Sequence, residues 1–184
     1  MKSPFLIGEA KLPKGFPPPG PVNQVIIKRY PKCRAAVVQA EAVDGAENRM
    51  FGSLFNHIKF NHIAMSAPVE MTWSVPEHSD EDARETAMAF IYGDPAIGKV
   101  GTNGVVEVVD LPEQTILSVG TRGSYSGKNF AAGLKRLKDW LATHSDAYHV
   151  TGPPRFLGYN SPFVPWFLRF GEVQLPIAPV GMQR

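Results

Sequence analysis

Residues 50–71, MFGSLFNHIKFNHIAMSAPVEM, leave this chain few choices of fold. Met50, Phe51, Leu54, Phe55 and Ile58 are spaced so that about 100° per residue gathers them on one face of a helix. Met50 and Leu54 fall toward the core side of that face, Phe51 and Phe55 nearer an edge. Asp44 is placed as the N-cap, and Glu47, three residues on, completes a capping box. A short turn follows, and the chain enters a strand through Ala67-Pro68-Val69. A helix whose buried side is broad, flat and aromatic needs a sheet or a planar ligand against it.

The rest of the chain supplies the sheet. Gln24 to Tyr30 and Cys33 to Gln39 are rich in Val, Ile and Ala and are split by Pro31, which fits two strands or one bent strand. Val69 to Val75 alternates apolar and polar residues as a half-buried strand does, and the polar run from Pro76 to Thr86 reads as a loop. Ala87 to Tyr92, Val105 to Val109 and Gln114 to Thr121 read as strands, the second opened by an Asn103-Gly104 turn. Ser126 caps a second helix over about Lys128 to Thr143, carried by Phe130, Leu134, Leu137 and Leu141. Ala147 to Thr151, Pro154 to Gly158 and Glu172 to Ile177 are extended. The order strand, helix, strand, strand thus occurs twice, at about 33–92 and 114–177. The expected fold is α+β: an antiparallel sheet curled toward a barrel, with two helices packed on it.

A chain of 184 residues, 43% of them hydrophobic, makes one domain with a real core. The expected division is an extended Pro/Gly-rich arm over residues 1–21 and a single domain over 22–184. The formal net charge is +2 and the basic residues do not cluster, which speaks against a nucleic-acid partner. The apolar run Pro4 to Ile7 is shorter than the roughly 7–15 residues of a secretory signal. No run approaches the ~20 apolar residues of a membrane span. A cytoplasmic protein is the expectation. The single cysteine, Cys33, is expected to be a small core residue.

Catalytic signatures are absent. There is no G-x-S-x-G, P-loop or G-x-G-x-x-G. His57 and His62, like His144 and His149, are five residues apart, where a metal-binding helix places them four apart. The carboxylates Asp80, Glu81, Asp82 and Glu85 lack the glycine and spacing of an EF-hand loop. No catalytic residue is assigned, and binding without catalysis is expected.

Two separated motifs give that binding a direction. Phe51-Gly52-Ser53-Leu54-Phe55-Asn56-His57-Ile58, followed by Met65-Ser66-Ala67-Pro68-Val69, resembles the F-x-x-L-x-x-Y-I … M-T-A-P-V hallmark of the SOUL/heme-binding-protein family. Gly158-Tyr159-Asn160-Ser161-Pro162 and Arg169-Phe170-Gly171-Glu172-Val173 resemble that family's G-Y-[ND]-x-P … R-R-N-E-V ending. The resemblance spans roughly residues 22–177 and implies the fold already read. It also implies a heme or other tetrapyrrole as small-molecule partner and possible cofactor, held on a hydrophobic surface that includes Met50, Phe51, Leu54, Phe55 and His57. Propionates would want cations, for which Arg49, Lys59 and Arg169 are candidates. Some members carry a histidine just before the tyrosine of the first strand; here Arg29 precedes Tyr30, and arginine does not ligate iron. His57 or His62 is the remaining candidate heme-iron ligand, while Met65 and Met71 are expected in the core. The same fold would serve an effector-binding module for another flat apolar molecule, or a protein–protein interaction domain docking through the first helix.

Overall fold

The computed structural model describes residues 7–43, 47–75 and 83–181. In chain order the elements are β1 (Val25–Tyr30), β2 (Cys33–Gln39), α1 (Glu47–Phe60), β3 (Val69–Ser74), β4 (Arg84–Ile91), β5 (Gly101–Asn103), β6 (Val106–Leu111), β7 (Gln114–Arg122), α2 (Gly127–Ala142), β8 (Tyr148–Val150), β9 (Arg155–Gly158) and β10 (Phe170–Pro179). The strands form one antiparallel sheet in the order β1-β7-β10-β9-β3-β4-β2-β6-β5, with β8 paired to β10. The α+β class and the two helices on an antiparallel sheet are as expected; the sheet is not closed into a barrel.

The order hides an exchange between halves. β1 leads into β2 but pairs with β7, and β6 leads into β7 but pairs with β2. Both hand-overs use a two-residue link that begins with proline, Pro31-Lys32 and Pro112-Glu113. The units β1-β2-α1-β3-β4 and β6-β7-α2-β9-β10 are therefore related by an approximate twofold relation, meeting where β3 pairs β9. A proline there removes a donor that a continuing ladder would need, so one strand ends and the next begins.

One face of the sheet carries both helices. Met50, Leu54 and Ile58 of α1 pack with Ala36, Val38 and Phe90, and Phe130, Leu134 and Leu137 of α2 are buried beside Val119 and Val173. Burial of side chains this size stabilises by about 1.5–3 kcal/mol each, which holds the helices down. Ser126 caps α2, accepting from the Asn129 N–H at 3.4 Å. The Asp44 cap proposed for α1 lies outside the described residues.

The other face is covered by the segment before β1. Phe16 sets its ring edge-on to Tyr30 at 5.0 Å, the Lys14 N–H donates to the Gly93 carbonyl, and the Lys11 carbonyl accepts from Ala67 N–H. Under this strap lies a buried polar network. The Glu172 carboxylate accepts from Lys28 Nζ, Gly20 N–H, Tyr159 O–H and Gln174 Nε2. Lys28 Nζ donates also to the Pro18 carbonyl. Arg155 bonds Gln174 and Glu70.

Three expectations need correction. β4 begins at Arg84, so Arg84 to Thr86 are strand and not loop; a bulge between Thr72 and Trp73 keeps the polar end of β4 in register with β3. The remainder of that loop, 76–82, lies outside the described residues. β5 was not foreseen, because its three residues are all exposed and carry no apolar alternation. Met65 is 38% exposed, not core, because it sits in the α1–β3 connection; its neighbour Ser66 is buried instead and donates to the Ile91 carbonyl.

Candidate functional site

Helix α1 lies on β2, β4 and β6, and its buried stripe divides the predicted residues into three groups. Met50 and Leu54 are fully buried and present no surface. Phe51 and Phe55 lie on one flank of the stripe, 36% and 43% exposed. Their rings are near-parallel at 12° with centroids 6.1 Å apart, and Phe51 rests edge-on against Phe90 of β4 at 5.2 Å. Phe90 is opposite Val69 of β3, and Val69 opposite Gly158 of β9, where the Tyr125 ring fills the space a side chain would take. An apolar line thus runs from Phe51 of α1 through Phe90 and Val69 to Tyr125, next to α2.

Lys59 is exposed and continues the row Phe51, Phe55 one turn further on. Gly52, beside the pair, has open space where a Cβ would stand. The site therefore offers a platform of two half-exposed, near-parallel aromatic rings, room next to it and a cation one turn further along α1.

His57 is not on this platform. A two-residue step turns a helix by about 200°, so His57 leaves α1 on the side opposite Phe55. Its Nε2 lies 3.0 Å from Tyr92 Oη, and burial holds its pKa below the usual histidine range. Burial raises the Tyr92 phenol in turn. This pair lines a separate cleft of about 430 Å³ between the end of α1 and the 97–103 segment, which also holds Asn61, His62 and Lys99. His62 is exposed, at φ 55° in the turn that ends α1.

The other predicted cations are dispersed. Arg49 is exposed and leaves α1 on the side away from Phe51 by the same two-residue step. Arg169 braces the β9–β10 connection, its guanidinium donating to the Val164 and Pro162 carbonyls at 2.8 Å each. Arg29 is exposed on β1. Cys33 is buried on the strap side, its thiol pushed up to about 11 by burial. Sequence reasoning missed Phe90 and Tyr92 as partners of α1, although both stand on an anticipated strand. It missed the Lys28–Glu172 pair because 144 residues separate the partners.

Among the described residues no group of three or more His, Cys, Asp or Glu side chains could hold a metal ion. The half-exposed Phe51 and Phe55 rings supply apolar aromatic area of the kind a tetrapyrrole face packs on. Of the two candidate iron ligands, His57 projects from the opposite side of α1 and His62 lies in the turn beyond it, so neither stands with the platform pair.

The sequence pattern described as SOUL heme-binding protein matches residues 21–176. The chain belongs to the SOUL heme-binding protein family. A search of curated proteins gives no match. Among solved structures the fold is similar to EcmrR in its DNA complex, at 15% identity and TM-score 0.64, covering 85% of this chain and 58% of that one. The chain thus spans a little over half of that protein's length. It is also similar to a Listeria innocua hydrolase, at 11% identity and TM-score 0.64, covering 86% and 93%. A third is SAV2435 bound to tetraphenylphosphonium, at 9% identity and TM-score 0.54, covering 84% and 94%. At such identities these likenesses describe the fold.

Proposed function

We propose that this protein binds heme or a related tetrapyrrole against the Phe51–Phe55 flank of α1, as a cytoplasmic carrier, buffer or sensor and without catalysis. The observation that carries the reading is the near-parallel, half-exposed phenylalanine pair backed by Phe90, within a chain of the SOUL heme-binding family. Lys59 is the propionate partner best aligned with that pair. Covering ~400 Å² of apolar ligand surface at ~25 cal/mol/Å² gives about 10 kcal/mol gross, from which association costs remove several kcal/mol. Micromolar affinity, about −8 kcal/mol, is within reach without an iron–protein bond. Capture is through apolar contact, and the iron takes no ligand from His57 or His62.

A hemin titration followed at the Soret band tests this. A saturable change is expected, unaltered in His57→Ala and His62→Ala and weakened about tenfold or more in Phe51→Ala/Phe55→Ala. No saturable change, or no competition against albumin, overturns the reading.

A second reading takes its support from the fold shared with SAV2435 bound to tetraphenylphosphonium: an effector module for another flat or lipophilic molecule. The buried carboxylate available to a cation among the described residues is Glu172, and Lys28 already neutralises it under the strap. A cationic effector there has to displace both. Tetraphenylphosphonium binding that survives Phe51→Ala/Phe55→Ala would favour this alternative.

A further inference from the structure

The strand register defines one end of the sheet. β2 begins there, β4 ends there, and β9 passes to β10 there through residues 159–169. The turn after α1 is tied to this end, with Ile63 close to the 97–98 segment. Large apolar side chains stand out from it: Phe163 is 93% exposed, Phe60 81%, Trp166 61% and Phe167 55%.

These aromatics are held outward and are not loose. Arg169 clamps the Pro162 and Val164 carbonyls from behind, and Arg122 holds the Leu168 carbonyl at 2.7 Å. Val164 is buried beneath the loop, while Phe163, Trp166 and Phe167 point away from it. Residues 161–168 contain no charged side chain.

Charge around this tip has one sign in excess. Asp94 and Asp110 are matched by Lys14 and Arg34. Glu9 is bound by Ser161 and feels Arg169. Glu9, which the Ser161 donors keep ionised, and Glu113 are the exposed carboxylates without an ion pair here. Against these, Lys11, Lys32 and Lys99 are exposed and have no carboxylate partner among the described residues. Aromatic rings that insert at the headgroup level, ringed by lysines, are the arrangement that binds an anionic lipid surface.

We propose that this end of the molecule docks on anionic membranes, inserting Phe163, Trp166 and Phe167 to the headgroup–acyl boundary while the lysines meet the lipid phosphates and carboxylates. The contact is peripheral: no described helix is long and apolar enough to cross a bilayer. It is also independent of the tetrapyrrole, since the tip lies outside the Phe51–Phe55 platform.

The test is co-sedimentation of the full chain, without added heme, with phosphatidylcholine vesicles with and without phosphatidylserine. The phosphatidylserine vesicles should carry the protein down, and added salt should release it. Phe163→Ser/Trp166→Ser/Phe167→Ser should lower the bound fraction about tenfold or more, and Phe163→Ser alone should lower it measurably. Lys32→Glu/Lys99→Glu should remove the preference for phosphatidylserine. Circular dichroism confirms that each variant is folded. The proposal is overturned by no sedimentation with either vesicle, or by undiminished binding of the folded triple variant. A concentration-dependent dimer in sedimentation velocity that the tip substitutions abolish would also overturn it, because a second copy would then be the occupant.

Discussion

Replacing Lys28 with methionine removes the cation from a carboxylate that has no access to water. Glu172 is fully buried, and one of its oxygens accepts from both Lys28 Nζ and the Gly20 N–H. Desolvation lowers the Lys28 pKa, and the Glu172 charge opposes that shift. Breaking such a pair from one side costs about 3–5 kcal/mol, because the remaining charge stays buried without its partner. The Pro18 carbonyl loses its donor at the same time, so the strap should loosen. Lys28→Met is therefore expected to lower stability in urea by about 3–5 kcal/mol and to speed tryptic cleavage at Lys11 and Lys14. Glu172→Gln alone leaves Lys28 buried and should cost a comparable amount. The double variant should recover at least about 2 kcal/mol relative to the sum of the singles. A loss below about 1 kcal/mol for Lys28→Met, or additive singles, would refute the claim that this pair is a coupled, desolvated unit.

Further perturbations follow from the packing. A methyl group on Gly133 of α2 would overlap Val173 of β10; Gly133→Ala should gain about 1 kcal/mol of helix propensity yet lose about 1–3 kcal/mol to overpacking. Thermal melts should show a net loss, reversed by adding Val173→Ala. Ser126→Ala should cost about 1 kcal/mol by uncapping α2, visible as a lower urea midpoint. His57 titrates lower in the fold than in the unfolded chain, so only the unfolded chain readily takes its proton as pH falls below about 6.5. Stability should be intact above that pH and decline below it, and His57→Asn should flatten the decline. An unchanged slope in the variant would assign the effect to another group.

Much of this architecture was legible because it is written at short range. The stripe from Met50 to Ile58, the stripe of α2 with its Ser126 cap, and the alternation of β3 each declare an element within a dozen residues. The exchange of β1 and β6 between halves was not legible, since nothing in a strand names its neighbour. The twin links Pro31-Lys32 and Pro112-Glu113 were the available trace of it. Which side of α1 each site residue takes was partly readable. Phe51 and Phe55 were placed near an edge, and the step of about 200° from Phe55 to His57 was readable as well; the Tyr92 hydroxyl that holds His57 on the other side was not. The Pro/Gly composition of the strap says that it is extended and says nothing of the polar network it covers. Residues 161–168 were a run of apolar and proline residues that pattern alone does not place on the surface.

The central claim is that a flat tetrapyrrole lies on the Phe51–Phe55 flank, and paramagnetic line broadening by bound hemin tests it most directly. In an amide-resolved NMR spectrum, hemin should broaden Phe51, Gly52, Phe55, Val69 and Phe90 beyond detection, with the diamagnetic zinc porphyrin as reference. The resonances of Lys28 and Glu172 should persist. Broadening centred on His57, Tyr92, Lys99 and Asn103 would place the ligand in the cleft on the far side of α1 and contradict the account.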